Sequence, residues 1–184
     1  MVLLTASAGE GAARKQLSGL SRSLVCFAVE TYFGTACPET VVMSGGKPDF
    51  APGAGLHFSV SHSGDRVLIG VSEGTLGVDT ERRREVKAGY YERLFSPEMR
   101  RSFDYFTGWT LRESYFKLTG EGNLMTLDFS ESSGRIIAPR SDVFCRVYDD
   151  IPGFAVSVSS YENDFPDSIG EISPDRLRGN KITT

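Results

Sequence analysis

The chain has 184 residues, 40% of them hydrophobic and 24% charged, which is ordinary globular usage and excludes a wholly disordered polymer. Twenty Lys and Arg against 24 Asp and Glu leave a formal charge of −4, so non-specific coating of nucleic acid is excluded, whereas a local basic patch for one anionic ligand is not. Three cysteines (Cys26, Cys37, Cys145) with no close pair argue against a disulfide scaffold and a zinc knuckle, and two histidines (His57, His62) are too few for a His-rich metal site. The apolar start at Met1 lacks the basic flank of a signal peptide, and no run is long enough to span a membrane. The expectation is a cytoplasmic chain with neither a membrane nor a nucleic-acid partner.

In chain order, residues 7–12 read as flexible. Ala13 to Phe33 then reads as a helix, because Leu17, Leu20, Leu24, Phe27 and Ala28 recur at three- and four-residue steps, with Gly34 as its stop. Glycines and prolines make 44–55 a turn-rich loop. Leu56 to Ser61 and Val67 to Ser72 read as a hairpin about His62-Ser63-Gly64-Asp65, and Leu76 to Glu81 as a third strand. Tyr90 to Phe95 reads as helical. Ser96-Pro97-Glu98 is a helix start with Ser96 as N-cap. A further helix runs from Phe106 or Trp109 to Leu118 and stops at Gly120. Strands are expected near 134–138, 143–149 and 153–159, followed from about residue 161 by a polar tail.

Four clusters carry chemistry. In Gly77-Val-Asp79-Thr-Glu81, residues two apart share a strand face, so Asp79 and Glu81 point together. Such a pair fits a hard cation such as Mg²⁺ between oxygen ligands, and equally two solvated acids on an exposed strand. In Trp109-Thr-Leu-Arg-Glu113-Ser-Tyr-Phe-Lys117, Glu113 and Lys117 stack four apart on a helix. They read as a surface ion pair, or as a metal ligand or base beside a cation for phosphate. Phe58-Ser-Val-Ser61-His62-Ser63-Gly64 ends a strand in groups that can hold an anion, and it also fits a plain turn with His62 solvated. His57 reads as structural. Gly45-Gly46-Lys47-Pro48 lacks Walker spacing but offers backbone groups and one cation.

The order and content of these clusters resemble the 4′-phosphopantetheinyl transferases, in their monomeric Sfp-type class. The resemblance rests on F-S-V-S-H-S-G at 58–64, G-V-D-T-E at 77–81 and W-T-L-R-E-S-Y-F-K-L-T-G at 109–120. G-K-P at 46–48, R-L-F-S-P-E at 93–98 and G-F-A-V-S-V-S at 153–159 support it. It covers residues 44 to 160 well and 13–33 loosely.

The resemblance implies an α+β fold of two pseudo-symmetric halves, each a small antiparallel sheet packed with a long helix, with the active site in the cleft between them. Residues 1–75 would form the half that meets the adenosine and 3′-phosphate of coenzyme A. Residues 76–184 would carry the metal and catalytic groups. The implied reaction moves the phosphopantetheine arm of coenzyme A to a serine of an apo acyl or peptidyl carrier protein and releases 3′,5′-ADP, and a monomer would suffice for it. By position, Asp79, Glu81 and Glu113 would hold Mg²⁺. Glu113 would also help deprotonate the carrier serine, and Lys117 would stabilise charge on the phosphate. Lys47, Ser61 and His62 would hold the nucleotide end. Arg14 and Lys15 stand in for the family's N-terminal contacts to the 3′-phosphate. Ser59, Arg112 and Glu121 depart from the family pattern, where Asn, Lys and a basic residue are usual. The run Arg82-Arg83-Arg84 could steer an acidic carrier, or be a solvated loop.

Overall fold

A computed structural model describes residues 1–43 and 46–178. Gly45 of the expected glycine-lysine loop lies outside the described residues. The fold is α+β, built on small, mainly antiparallel sheets.

The chain opens with a strand that periodicity does not announce, β1 (Val2–Ser7), whose residues 3–6 are all buried. The helix α1 (Arg14–Ala28) follows, and its last turn widens into a π-helical turn (Val29–Phe33) that Gly34 ends in the left-handed conformation at φ 66°. Thus the expected 13–33 helix is present, with a distorted C-terminal turn. Two short strands, β2 (Thr40–Val42) and β3 (Pro48–Phe50), pair across the turn-rich stretch. The expected hairpin forms as β4 (His57–Ser63) and β5 (Arg66–Ser72), and β6 (Leu76–Arg82) follows after a tight turn.

Next come α2 (Tyr90–Leu94) and α3 (Pro97–Ser102), the latter capped by Ser96, whose hydroxyl accepts the Met99 amide as the sequence predicts. The long helix α4 (Tyr105–Thr119) starts at Asp104, whose carboxylate accepts the Phe106 and Thr107 amides, and ends at Gly120 at φ 66°. The remaining elements are β7 (Ser130–Ser132), β8 (Arg135–Ile137), β9 (Phe144–Tyr148), β10 (Phe154–Ser160), β11 (Gly170–Glu171) and α5 (Pro174–Arg178).

Two sheets organise these elements. One has the order β11-β1-β5-β4 and the other β6-β10-β9. The helix α1 packs its apolar stripe, including Leu17, Leu24 and Phe27, against Ile69, Val71 and Phe58 of the first sheet. The helix α4 packs across β6 and β10. Its close approach requires Gly77, where an added Cβ would stand 1.9 Å from the Ser114 carbonyl oxygen.

Two expectations are corrected. The segment from residue 161 is not merely a polar tail. Ile169 and Ile172 are buried, β11 runs parallel to β1, and the Arg176 guanidinium lies over the Phe27 ring. The last described strand, β11, is therefore hydrogen-bonded to the first, β1. Secondly, Cys26 and Cys37 form a disulfide, with Cα atoms 4.9 Å apart. It is a single staple rather than a scaffold. It forms because the π-helical turn and Gly34 reverse the chain and return Cys37 to the end of α1. Cys145 stays a free thiol, and burial pushes its pKa up to about 11. Among the described residues no helix is long and apolar enough to cross a membrane.

The staple closes a short loop, with 11 positions separating its cysteines. Restricting the unfolded chain in this way is worth about 3 kcal/mol. Reduction, or the Cys26→Ser/Cys37→Ser double variant, is expected to lower the urea-derived unfolding free energy by about that amount. Equal midpoints for oxidised and reduced protein would refute the assignment.

Candidate active site

A cleft of about 830 Å³ opens between α1, β4, β6 and α4, closed on one side by the segment Cys37–Thr40. Asp79, Glu81, Glu113 and Lys117 line its acidic end, and Ser61 and His62 lie beside them. Arg14, Ser18 and Arg22 line it from α1. The alternation of β6 turns Asp79 and Glu81 to one face, and the four-residue step of α4 turns Glu113 and Lys117 to the same cleft.

Asp79 is buried at 5% exposure. Its Oδ1 accepts a hydrogen bond from Lys117 Nζ at 2.7 Å and another from the Ser61 hydroxyl at 2.7 Å. Lys117 Nζ also donates to the Val78 carbonyl at 3.0 Å. The surface pair between Glu113 and Lys117 that helical spacing suggests is therefore replaced by a tertiary ion pair with Asp79. Burial pushes the Asp79 carboxyl above the usual range, opposed by the Lys117 charge and by hydrogen bonds from Lys117 and Ser61. Burial likewise raises Glu113, and repulsion from Asp79 adds to it. Glu81 accepts from the Ser63 hydroxyl at 2.8 Å and has Arg84 at 3.6 Å.

No three His, Cys, Asp or Glu side chains among the described residues converge into a ready-made metal cage. One observation nevertheless fits a cation. Asp79 Oδ2 is buried with no hydrogen-bond partner. An all-carboxylate donor set suits a hard ion such as Mg²⁺, which keeps several waters and takes few protein ligands.

The other expected residues divide. His62 is exposed on the cleft wall. Ser61 borders the cleft too, but its hydroxyl proton goes to Asp79 and its oxygen accepts the Thr80 amide at 3.3 Å. Lys47 Nζ donates to the Leu76 carbonyl at 3.0 Å at the start of β6, and burial lowers its pKa. Lys15 is exposed on α1 and is not a lining residue; Arg14 and the unexpected Arg22 take that place. The signal for Arg22 was the four-residue spacing of Arg14, Ser18, Arg22 and Cys26, which forms one helical stripe. His57 is structural, as read. Its Nδ1 lies 2.8 Å from Asp49, whose other oxygen accepts the Phe50 and Phe58 amides and pins β3 to β4. Arg82 pairs with Asp65 at 2.7 Å, Arg83 with Asp104 at 2.7 Å and Arg84 with Glu81, so this run is not a free basic patch.

The Asp79–Lys117 pair and the guanidinium groups of Arg14 and Arg22 thus line one cleft, and ammonium and guanidinium groups are side chains that pair with anions. Comparison with known proteins narrows the class. No protein-family model matches the chain. It is 31% identical over 150 residues to the 4′-phosphopantetheinyl transferase ffp of Bacillus subtilis, and 27% identical over 150 residues to the 4′-phosphopantetheinyl transferase Sfp of Bacillus subtilis strain 168. Each of these matches covers 72% of this chain and 67% of the relative. Similarity to psf-1 of Bacillus pumilus, of the same description, is 33% over 87 residues, covering 42% of this chain and 37% of the relative. The chain belongs to the Sfp-type 4′-phosphopantetheinyl transferase family.

Two substitutions should move stability in opposite directions. Lys117→Met leaves Asp79 without its counter-charge in a buried place and is expected to cost about 3 kcal/mol. Glu113→Gln removes a carboxylate whose pKa is raised in the folded chain. A raised carboxylate destabilises the fold as pH rises above its ordinary value of 4.5. The metal-free Glu113→Gln protein should therefore melt higher than wild type at pH 7, with the gap vanishing as pH falls below about 4.5. Calorimetric scans between pH 4 and pH 8 check both signs.

Proposed function

We propose that this transferase moves the 4′-phosphopantetheine arm of coenzyme A to a serine hydroxyl of an apo acyl or peptidyl carrier protein. The serine oxygen bonds to the phosphorus that carries the pantetheine arm, the pyrophosphate P–O bond breaks, and 3′,5′-ADP leaves. The serine proton passes to Glu113, directly or through water. The observation that carries this reading is the meeting of Asp79, Glu81, Glu113 and Lys117 in one cleft, in a chain related to transferases of that description.

A pyrophosphate resists attack by a neutral hydroxyl because negative charge surrounds its phosphorus, so catalysis needs charge neutralisation, positioning and a proton acceptor. Asp79, Glu81 and Glu113 supply carboxylate oxygens for Mg²⁺. When bound there, that ion would neutralise pyrophosphate charge and ease deprotonation of a nearby hydroxyl or water. Lys117 is drawn between Asp79 and phosphate charge, and can turn its ammonium to the phosphate under attack. Burial and crowding raise the Glu113 pKa in the metal-free protein; a cation beside it would lower that basicity, and the same cation would ease proton loss from the serine hydroxyl or a water that Glu113 meets. On the opposite wall Arg14 and Arg22 offer guanidinium groups to the 3′-phosphate, and His62 adds an imidazole. In this reading two pseudo-symmetric halves, about residues 1–75 and 76–184, contribute the nucleotide and catalytic sides of the cleft. A monomer then carries the whole site.

The test is intact mass. The protein with coenzyme A, Mg²⁺ and a set of apo carriers should add one phosphopantetheine to a carrier. Glu113→Ala should lower the rate by a factor of about 10² or more. Arg22→Ala should raise the KM for coenzyme A about tenfold and leave that for 3′-dephospho-coenzyme A nearly unchanged. Coenzyme A binding without mass gain on any carrier would mark a non-catalytic binder instead.

A further inference from the structure

We propose that Ser63 is a positioning residue that aims the Glu81 carboxylate, so that one half of the acidic pair on β6 is set from the neighbouring strand β4. The inference rests on the transferase reading for the identity of the cation that Glu81 meets. A serine hydroxyl has one proton and two lone pairs. In Ser63 the proton goes to Glu81 Oε2 at 2.8 Å and the oxygen accepts the Arg82 amide at 3.0 Å. One hydroxyl thus grips the side chain of one residue and the main chain of the next, which fixes both its own rotamer and that of Glu81.

The same clamp occurs two residues earlier. Ser61 donates to Asp79 Oδ1 and accepts the Thr80 amide. The clamps share the two-residue period of a strand, so β4 acts as a template for the spacing of the two carboxylates. They differ in redundancy. Asp79 is also held by Lys117 at 2.7 Å, whereas the other charged partner of Glu81 is Arg84, 3.6 Å away with a side chain 65% exposed. An exposed pair at that distance orients little. Ser63 therefore dominates the aim of Glu81, and without it the carboxylate is free to follow Arg84 out of the cleft. Ser63 does not line the cleft, which separates aiming from ligand binding.

The experiment compares wild type, Ser63→Ala and Ser63→Thr, the last keeping the hydroxyl. Mg²⁺ is titrated calorimetrically into protein saturated with coenzyme A, beside steady-state transfer to an apo carrier. Ser63→Ala should weaken Mg²⁺ about tenfold in calorimetry and in the half-saturating concentration for transfer, with the KM for coenzyme A within about twofold. Ser63→Thr should recover wild-type Mg²⁺ affinity to within about threefold. Should Ser63→Ala not fold, Ser63→Cys keeps the size with a weak donor and carries the same expectation. Unchanged Mg²⁺ affinity, a loss that Thr does not recover, or a wild type that takes up no Mg²⁺ overturns the positioning role. So does an equal weakening of Mg²⁺ and coenzyme A accompanied by a lower melting temperature. Weakened Mg²⁺ in calorimetry with no transfer by wild type to any carrier upholds the role and removes the transferase reading.

Discussion

The molecule depends on a seam where two sheets meet without a backbone ladder. The amides of Val78, Thr80 and Arg82 on β6 are accepted by the hydroxyls of Ser59, Ser61 and Ser63 on β4. The Val78 and Thr80 amides are buried and would cost about 1–3 kcal/mol each without partners, while the Arg82 amide lies at the exposed end of the seam. Only a short side chain with an acceptor can take the place of a main-chain carbonyl at that separation. Side chains bulkier than Thr at 59, 61 or 63 would force β4 and β6 apart, and the cleft with them. Across the other face of β6 the same economy of size recurs. Gly77 admits the Ser114 carbonyl, while Thr110 and Ser114 exchange hydroxyl bonds with Ser157 and Ser159 on β10 at 2.7 and 2.9 Å. Small residues on both sides of β6 bring α4 and β4 near enough for Lys117 and Ser61 to reach one oxygen of Asp79.

That convergence has an electrostatic consequence. Asp79 and Glu113 are held near each other in a half-closed site, and burial with mutual repulsion raises the free energy of their charged forms. Lys117 and Ser61 compensate part of this, and Asp79 Oδ2 is left uncompensated. The fold thus concentrates negative charge at the end of the cleft where Asp79 Oδ2 has no hydrogen-bond partner. Rigid small-residue packing around β6 supplies the resistance that keeps the carboxylates from spreading into solvent.

Much of this was legible from residue order. The hairpin, β6, the Ser96 cap, α4 and its Gly120 stop all follow local rules, and those rules held because helix caps and strand alternation are decided within a few residues. The strand β1 escaped because Val2-Leu-Leu-Thr-Ala is a continuous apolar run, and a strand buried on both faces has no alternation to betray it. Parallel pairing of β11 joins residues separated by most of the chain, with two residues of register to mark it. Residue order singled out Asp79, Glu81, Glu113 and Lys117, which line one cleft, but not the bonds they make. Helical spacing linked Lys117 to Glu113, while the tertiary approach of β6 gave it the stronger, desolvated partner Asp79. Ser61 read as an anion ligand because nothing local reveals that β6 amides need acceptors. The disulfide depended on a chain reversal through a π-helical turn, a distortion that side-chain periodicity does not encode.

The four-residue stripe of α1 places Arg14, Ser18 and Arg22 on one wall and ends at Cys26, where the disulfide to Cys37 anchors the segment that closes the side. Asp79, Glu81, Glu113 and Lys117 line the same cleft from β6 and α4. Guanidinium groups attract anions directly, whereas carboxylates repel them unless a positive charge stands between. The cleft therefore presents two kinds of surface, guanidinium from α1 and carboxylate from β6 and α4, and the serine contacts between β4 and β6 hold the carboxylate side in place.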